Sequence, residues 1–566
     1  MIIKKYIGRD AELMTAGADA DGRPMQQWDA AQKLLGSASA AFEPYGYRAW
    51  THHKWPNSSN YYADNYYGGY NSGYYSSYNS SYSTDCLRHW MPNGQCYYSD
   101  MSHWEGCTAE VLSPFDFSLQ CLSSLQVAEA ARRRAEEIGK GARFTLSAQN
   151  VDVQDPSISW GTHLNISVNG ELFQDLILDH RHPARLGFVA SAIAAAIAWF
   201  GTGYILPLKD GSRIFSLCGR AHHLDRVICH STTTAFQRGL LNSRREPHAN
   251  ETDRLHLIGF DFNPVSAALS ASFLQCVLAA AEEGFCGLQL YDPVHAVRLW
   301  SWGLDLTTKT FNSEALLIDG RKLTLPVYMR ELATILLQMV EGGLIGEDVA
   351  PHARRLLPII IETTRYAEEG SLELLAKHSD WAALLMVLLG MCEQPGARLG
   401  DPETVLTAHD YSNTDPGRGL FWQLWQQGLV DPLVDKADIE RCLRDGPDDT
   451  RAWTRGRIVQ KLYQWITAID WDHVELLRTT SRWNSRLRIE MPRLDSLLRG
   501  EFEPTLAAAE SVEELELLMK QVAVPTSASD PVLNINTQLE TDPATYVGTT
   551  NCESVESKEC DINNKE

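Results

Sequence analysis

The chain has 566 residues with 44% hydrophobic content, enough to bury more than one core, so a large domain with a smaller companion is expected. Fifty Lys and Arg stand against 72 Asp and Glu, a net charge of -22, which argues against long-range attraction to nucleic acid or anionic lipid. Twelve cysteines without a CxxC pair or a regular spacing point to a reducing compartment rather than a disulfide framework.

From Met1 to Tyr6 the chain meets Lys4 and Lys5 and then Arg9 and Asp10, so no apolar signal-peptide core develops and a cytoplasmic location is expected. Asp10 and Glu12 stand two apart and, on a strand, share one face. Residues 57–83 hold nine tyrosines among Ser, Asn and Gly, a composition that cannot form a packed core and reads as a surface insertion or a lid. Tyr98 and Asp100 repeat the two-residue spacing.

Helical spacing of Leu122, Leu125, Ala128 and Ala131 predicts a helix from about Ser118 to Ile138. Residues 144–153 and 163–173 have strand character, and Val168-Asn-Gly-Glu-Leu172 suggests a hairpin turn. Leu186 to Leu208 carries no charge and is long enough for a membrane span; its Ala and Gly content and the lack of a second span make it a buried helix, 190–200, instead. Helical periodicity dominates 323–389 and again 421–477, and strands before helices give an α+β fold with a helical appendage. Beyond 522, eight acids and two lysines among Ser, Thr and Asn predict a disordered acidic tail.

No GxxxxGK[ST], HExxH or GxSxG is present, which removes the commonest ATPase, metalloprotease and hydrolase readings. Cys86, Cys96, His103 and Cys107 are too irregularly spaced to argue for zinc. What remains is a distributed set of carboxylates.

Five stretches, in order, carry a resemblance: Ile7-Gly-Arg-Asp10-Ala-Glu12-Leu; Asn93-Gly-Gln-Cys96-Tyr-Tyr98-Ser-Asp100-Met-Ser-His103-Trp-Glu105-Gly-Cys-Thr108-Ala-Glu110; Trp160-Gly-Thr-His163-Leu164-Asn165; Asn242-Ser-Arg244-Arg-Glu246-Pro247-His248-Ala-Asn250 with Arg254-Leu-His256; and Thr450-Arg-Ala-Trp-Thr-Arg-Gly456 with Ile469-Asp-Trp471. They resemble the enzymes that attach or remove the prokaryotic ubiquitin-like protein Pup. The match spans roughly residues 4–520, with Asp319-Gly-Arg-Lys-Leu-Thr324 and Gly417-Arg-Gly-Leu-Phe421 also in register.

The resemblance implies a glutamine-synthetase-like α+β fold, a curved antiparallel sheet flanked by helices. It divides the chain into a catalytic domain, 1–400, with the insertion at 45–92, a small helical C-terminal domain, 401–521, and the tail, 522–566. It implies ATP or ADP with Mg as cofactors, a Pup-like modifier and its conjugates as partner, a link to the proteasome system, and neither nucleic acid nor membrane.

By position, Asp100 is the expected catalytic nucleophile or base, Asp10, Glu12, Tyr98 and Glu105 are the expected metal ligands, and Thr108, His163, Asn165, Arg244 and Trp471 are expected to hold nucleotide. Hard Mg ions need oxygen ligands, which this set supplies. Ligases of the family space the catalytic Asp four residues before the His and depupylases three. Asp100 and His103, followed by Glu105 and Glu110, follow the depupylase spacing, so ATP-dependent deamidation or depupylation is expected, with ligation through a γ-glutamyl phosphate or an impaired scaffold as alternatives.

Two departures bear on activity. Cys96 replaces an Arg expected to meet phosphate, and Leu164 replaces a Glu, so the pocket is expected to lack a cation and a carboxylate.

Overall fold

A computed structural model describes residues 3–51, 87–153, 155–208, 210–232, 238–244, 253–478 and 485–522. The Tyr-rich tract, Glu246 to Asn250, Cys86 and the acidic tail lie outside the described residues.

The centre is a mixed ten-stranded sheet, order β10-β11-β12-β7-β1-β5-β4-β3-β2 with β6 also on β1. Its strands are β1 (Ile7–Ala18), β2 (Trp50–Thr51), β3 (His89–Trp90), β4 (Cys96–Asp100), β5 (His103–Cys107), β6 (Arg143–Ser147), β7 (Thr162–Val168), β10 (Leu224–Cys229), β11 (Arg238–Asn242) and β12 (Asp253–Leu257). Between β7 and β10 the chain forms a separate hairpin of β8 (Tyr204–Pro207) and β9 (Arg213–Ser216). Ladders are antiparallel except β10 with β11.

One face of this sheet is apolar. Ala11 and Leu13, Tyr97 and Trp104, Leu164 and Ile166, and Leu255 all lie in the main core at 4% exposure or less. Helices Pro114–Gly139 and Ala267–Glu282 help build that core. The first begins at Ser113, whose side chain accepts the Asp116 N–H, with Pro114 preset for the first turn. Each large side chain buried here stabilises by about 1.5–3 kcal/mol.

The expected 118–138 helix is thus longer by four residues at its start. The charge-free stretch forms helix Pro183–Trp199, buried from Phe188 to Trp199, and no helix among the described residues is long and apolar enough to cross a membrane.

Two local expectations are corrected. Val168–Leu172 makes no hairpin: Asn169 caps a short helix, Gly170–Phe173, by accepting the Leu172 N–H at 2.7 Å. The stretch 421–477 is helical only to Leu462. Then β17 (Ile466–Asp470) and β18 (His473–Leu477) pair, with β19 (Arg486–Glu490) beside them.

The C-terminal part therefore joins helices to a three-stranded sheet. A second core holds Trp453, Ile458, Val474, Leu487 and Phe502 together with Trp50, Trp90, Cys96 and Cys107 from the large sheet. The division between 1–400 and 401–521 stands as a proposal about folding units; the hand-over between the two cores lies between Leu443 and Trp453.

Candidate functional site

The other face of the sheet carries the chemistry. Directly opposed residues on neighbouring strands share a face, and the registers run Glu12 to Glu105 to Tyr98, Asp10 to Cys107 to Cys96, and Asp100 to His103. On the far side of β1, Asp10 faces His163, Gly8 faces Asn165, and Asn165 faces His256, which faces Asn242. One polar face thus gathers Asp10, Glu12, Tyr98, Asp100, Glu105, His163 and Asn165 from four strands.

The spacing of Asp100 and His103 has a structural meaning. Three residues leave a two-residue loop, Met101 and Ser102, with φ of 45° and 73°, the signature of a tight hairpin turn. It puts Asp100 directly opposite His103. One more residue would change this loop and the pairing around it.

Ligand oxygens of Glu12, Asp100 and Glu105 lie within 4.8 Å of one another, and a second grouping joins Asp10, Glu105 and Cys107. Burial pushes the Glu105 carboxyl well above the ordinary range, and the charges of Asp100, Glu12 and Asp10 push it further, opposed by a Tyr98 hydrogen bond. Glu12 is also raised by burial, and Arg220 and Arg238 pull it back. His103 Nδ1 lies 3.9 Å from the Glu12 carboxylate, on a ring that burial holds below its ordinary pKa.

Crowded, half-buried oxygen donors of this kind suit a hard divalent cation such as Mg better than a soft one. Only Cys107 among the described thiols joins such a grouping, and there with two carboxylates; Cys96 and Cys107 are fully buried, the Cys96 thiol is pushed up to about 12 by burial, and Cys86 lies outside the described residues.

Glu105→Gln keeps this position neutral, whereas the Glu105 carboxyl can ionise only against the charges of Asp100, Glu12 and Asp10. Like charges about 5 Å apart repel by roughly 3 kcal/mol at an effective dielectric of about 20. The variant should therefore melt higher than wild type in EDTA and lose most of the rise that Mg gives wild type, as thermal melts with and without Mg will show.

Beside Asp10 opens a cleft lined among others by Gly8, Asp10, Thr108, Asn165, Arg254 and Trp471. Asn165 links its walls, donating to Asp10 Oδ2 at 2.8 Å and accepting from Arg254 Nη1 at 2.9 Å. Thr108 Oγ1 accepts the Arg9 N–H at 2.9 Å, which leaves its hydroxyl proton for another acceptor.

Trp471 sits in the β17–β18 turn, not at a helix end. Its ring meets the edge of Trp90 at 4.9 Å and carries the Arg455 guanidinium at 4.8 Å. His163 packs against His256 at 4.8 Å and is held well below its ordinary pKa by burial and by Arg220, Arg238, Arg254 and Arg244. Arg244 lies further out, its Nε donating to the His230 carbonyl at 3.1 Å, and does not line the cleft.

One of the two departures read from the sequence loses its consequence. Leu164 is 0% exposed and points into the apolar core opposite Arg9, so the substitution removes no carboxylate from the polar face. Cys96 does leave the face without its own cation, yet the Arg455 Nη2 donates to the Gly94 carbonyl at 2.9 Å, bringing a guanidinium to the start of the same strand. Glu110, which the spacing argument singled out beside Glu105, pairs with Arg451 at 3.0 Å and Arg455 at 2.7 Å.

Arg254, Arg220, Arg238 and Arg455 belong to the site's surroundings and were missed. Arg254 and Arg455 sit inside quoted motifs, but no local spacing tells which wall a long side chain will reach.

Comparison with known proteins gives three findings. Residues 9–475 match the family described as Pup-ligase protein. The chain is 30% identical to a depupylase of Acidothermus cellulolyticus over 392 residues, 68% of this chain and 74% of that one, and 27% identical to a Pup–protein ligase of Kocuria rhizophila over 68% of this chain and 83% of that one. In fold it is similar to the Pup ligase PafA in complex with Pup, at a TM-score of 0.66, 20% identity and coverage of 92% and 93%, and to PafA in complex with ADP, at 0.61, 22%, 78% and 91%.

Proposed function

Because the chain belongs to the Pup-ligase protein family, we propose that it is an ATP- and Mg-dependent deamidase or depupylase acting on a Pup-like modifier and its conjugates. The observation that carries the reading is the carboxylate group of Glu12, Asp100 and Glu105, within 4.8 Å, next to a cleft edged by Asp10, Thr108, Asn165 and Trp471. Relatives bear both depupylase and ligase names. The direct opposition of Asp100 and His103 across a two-residue turn favours cleavage.

In this mechanism Asp10, Glu12, Tyr98 and Glu105 would hold Mg, which supplies charge neutralisation for phosphate oxygens when bound. Trp471, whose ring carries the Arg455 guanidinium, would stack against adenine. Asn165 fixes Asp10, and Thr108 donates toward the phosphates. Asp100 attacks the side-chain carbonyl of a terminal Gln amide or Glu isopeptide, the C–N bond breaks as ammonia or the lysine amine leaves with a proton, and water hydrolyses the resulting anhydride to two carboxylates. As a base instead, Asp100 takes a proton from water, whose oxygen displaces the same amine.

The test is incubation of the purified chain with ATP, Mg and a Pup-type conjugate. Cleavage without stoichiometric ADP release supports the proposal; one ADP per new isopeptide bond establishes ligation instead. Stacking is worth about 1–3 kcal/mol per base, so Trp471→Leu should weaken ADP binding by roughly tenfold, measured by calorimetric titration, with little change in melting temperature.

A further inference from the structure

On the polar face, burial falls along the hairpin of β4 and β5. Cys96 and Cys107, at its inner end, are 0% and 3% exposed, and Glu105 is 5% exposed. Tyr98, Asp100 and His103 are half-buried, and Met101, in the turn, is 65% exposed. The cleft lined by Gly8, Asp10 and Thr108 meets the inner end, Thr108 being the residue that follows β5. The carboxylates of Glu12, Asp100 and Glu105 lie between. A chain that runs from Asp100 away from this cleft therefore passes over the turn.

The turn is built against local preference. Both central residues have positive φ, which Asn and Gly accept at little cost, yet Met101 and Ser102 occupy them. Met101 also holds a large apolar side chain in solvent, where it adds little to the fold. Backbone strain and apolar exposure at one residue next to Asp100 point to a contact that forms when substrate arrives.

The neighbouring surface suits the stem of a lysine. His103, directly opposite Asp100, lies against Trp160 with ring centroids 5.3 Å apart, and Trp160 is 4% exposed. Trp160 is fixed by its own backbone: its N–H donates to the Asn150 carbonyl at 3.2 Å, and its carbonyl accepts from Asn150 Nδ2 at 3.3 Å. Methylenes can lie along Met101 and the braced imidazole while the lysine nitrogen stays at the carboxylates.

We propose that Met101 is a specificity-determining residue that packs on the methylene stem of the lysine whose amine is released from a conjugate. This rests on the cleavage reading above and deepens it by naming the leaving-group side of the site. Ammonia, the leaving group from a Gln-terminated modifier, has no stem for Met101 to touch.

The test gives the full chain, with ATP and Mg, two substrates: a Pup-type conjugate joined through a protein lysine, and a Pup-type modifier ending in Gln. Asn suits a positive φ, so Met101→Asn should melt at or above the wild-type temperature. Its kcat/KM for the conjugate, divided by that for the Gln-terminated modifier, should fall roughly tenfold, the loss expected when burial of most of a Met side chain is given up. KM for the conjugate should carry the change. Met101→Leu keeps an apolar side chain and should restore most of the ratio.

An unchanged ratio overturns the proposal while the cleavage reading stands. An equal loss on both substrates also overturns it, since that marks a turn that only holds Asp100 in place. If wild type cleaves the conjugate alone, KM for the conjugate in Met101→Asn against Met101→Leu decides. Wild type that does not cleave the conjugate removes the cleavage reading and the proposal together.

Discussion

Asp100→Asn should reduce cleavage of a Pup-type conjugate by about a thousandfold, the loss ordinarily seen when a positioned nucleophile or base is removed. The substitution is nearly isosteric. Asp100 sits at the end of β4, held opposite His103 by a two-residue turn that the side chain does not build, so folding should be preserved.

Removing one negative charge from the crowd around Glu105 should even raise the melting temperature slightly. Single-turnover kinetics at saturating conjugate, alongside a thermal melt, check both halves. Undiminished cleavage would remove Asp100 from the chemistry and with it the proposed mechanism.

Glu110→Gln should destabilise the junction between sheet and C-terminal part by about 3–5 kcal/mol, the usual cost of breaking a buried ion pair by removing one partner. Arg451 and Arg455 are fully buried, and Glu110 faces both. Arg455 also donates to the Trp471 carbonyl at 2.9 Å and to Gly94 at 2.9 Å, so losing its anchor loosens the cleft wall as well.

The pH dependence has a definite sign. Burial alone would raise the Glu110 carboxyl, but the two guanidiniums outweigh it and hold it near about 2, against an ordinary value of 4.5. A depressed folded pKa means the unfolded state binds the proton more readily. The carboxylate's contribution, about 3 kcal/mol, is therefore complete above about pH 4.5 and lost as pH falls toward 2. Urea unfolding of wild type and variant should show a stability gap that is constant near neutrality and closes through that window.

Much of the site was legible because strand periodicity is a local rule. Asp10 with Glu12, and Tyr98 with Asp100, are two apart, and each pair does share a face. The order of motifs along the chain pointed to a glutamine-synthetase-like α+β fold, and the fold is similar to that of PafA. Asn169 misled because an Asn-Gly pair serves a hairpin turn and a helix cap equally well, and only the following Leu172 N–H decides between them.

Trp471 falls in the stretch 421–477 expected to be helical, because nothing in the residues after the helix Arg451–Leu462 announces a β-turn strongly. The Leu164 substitution looked like damage to the pocket when read beside His163 and Asn165. Alternation along β7 sends it to the core instead.

The sequence by itself determined the carboxylate inventory, the motif order and the spacing of Asp100 and His103, because these are properties of neighbours in the chain. Tertiary structure alone decided that Glu12 faces Glu105, that Glu110 is locked by arginines more than 340 positions away, and that Arg220 and Arg238 converge near Glu12. Register and domain docking join residues distant in sequence, and the burial that sets their charge states exists only once those parts have packed.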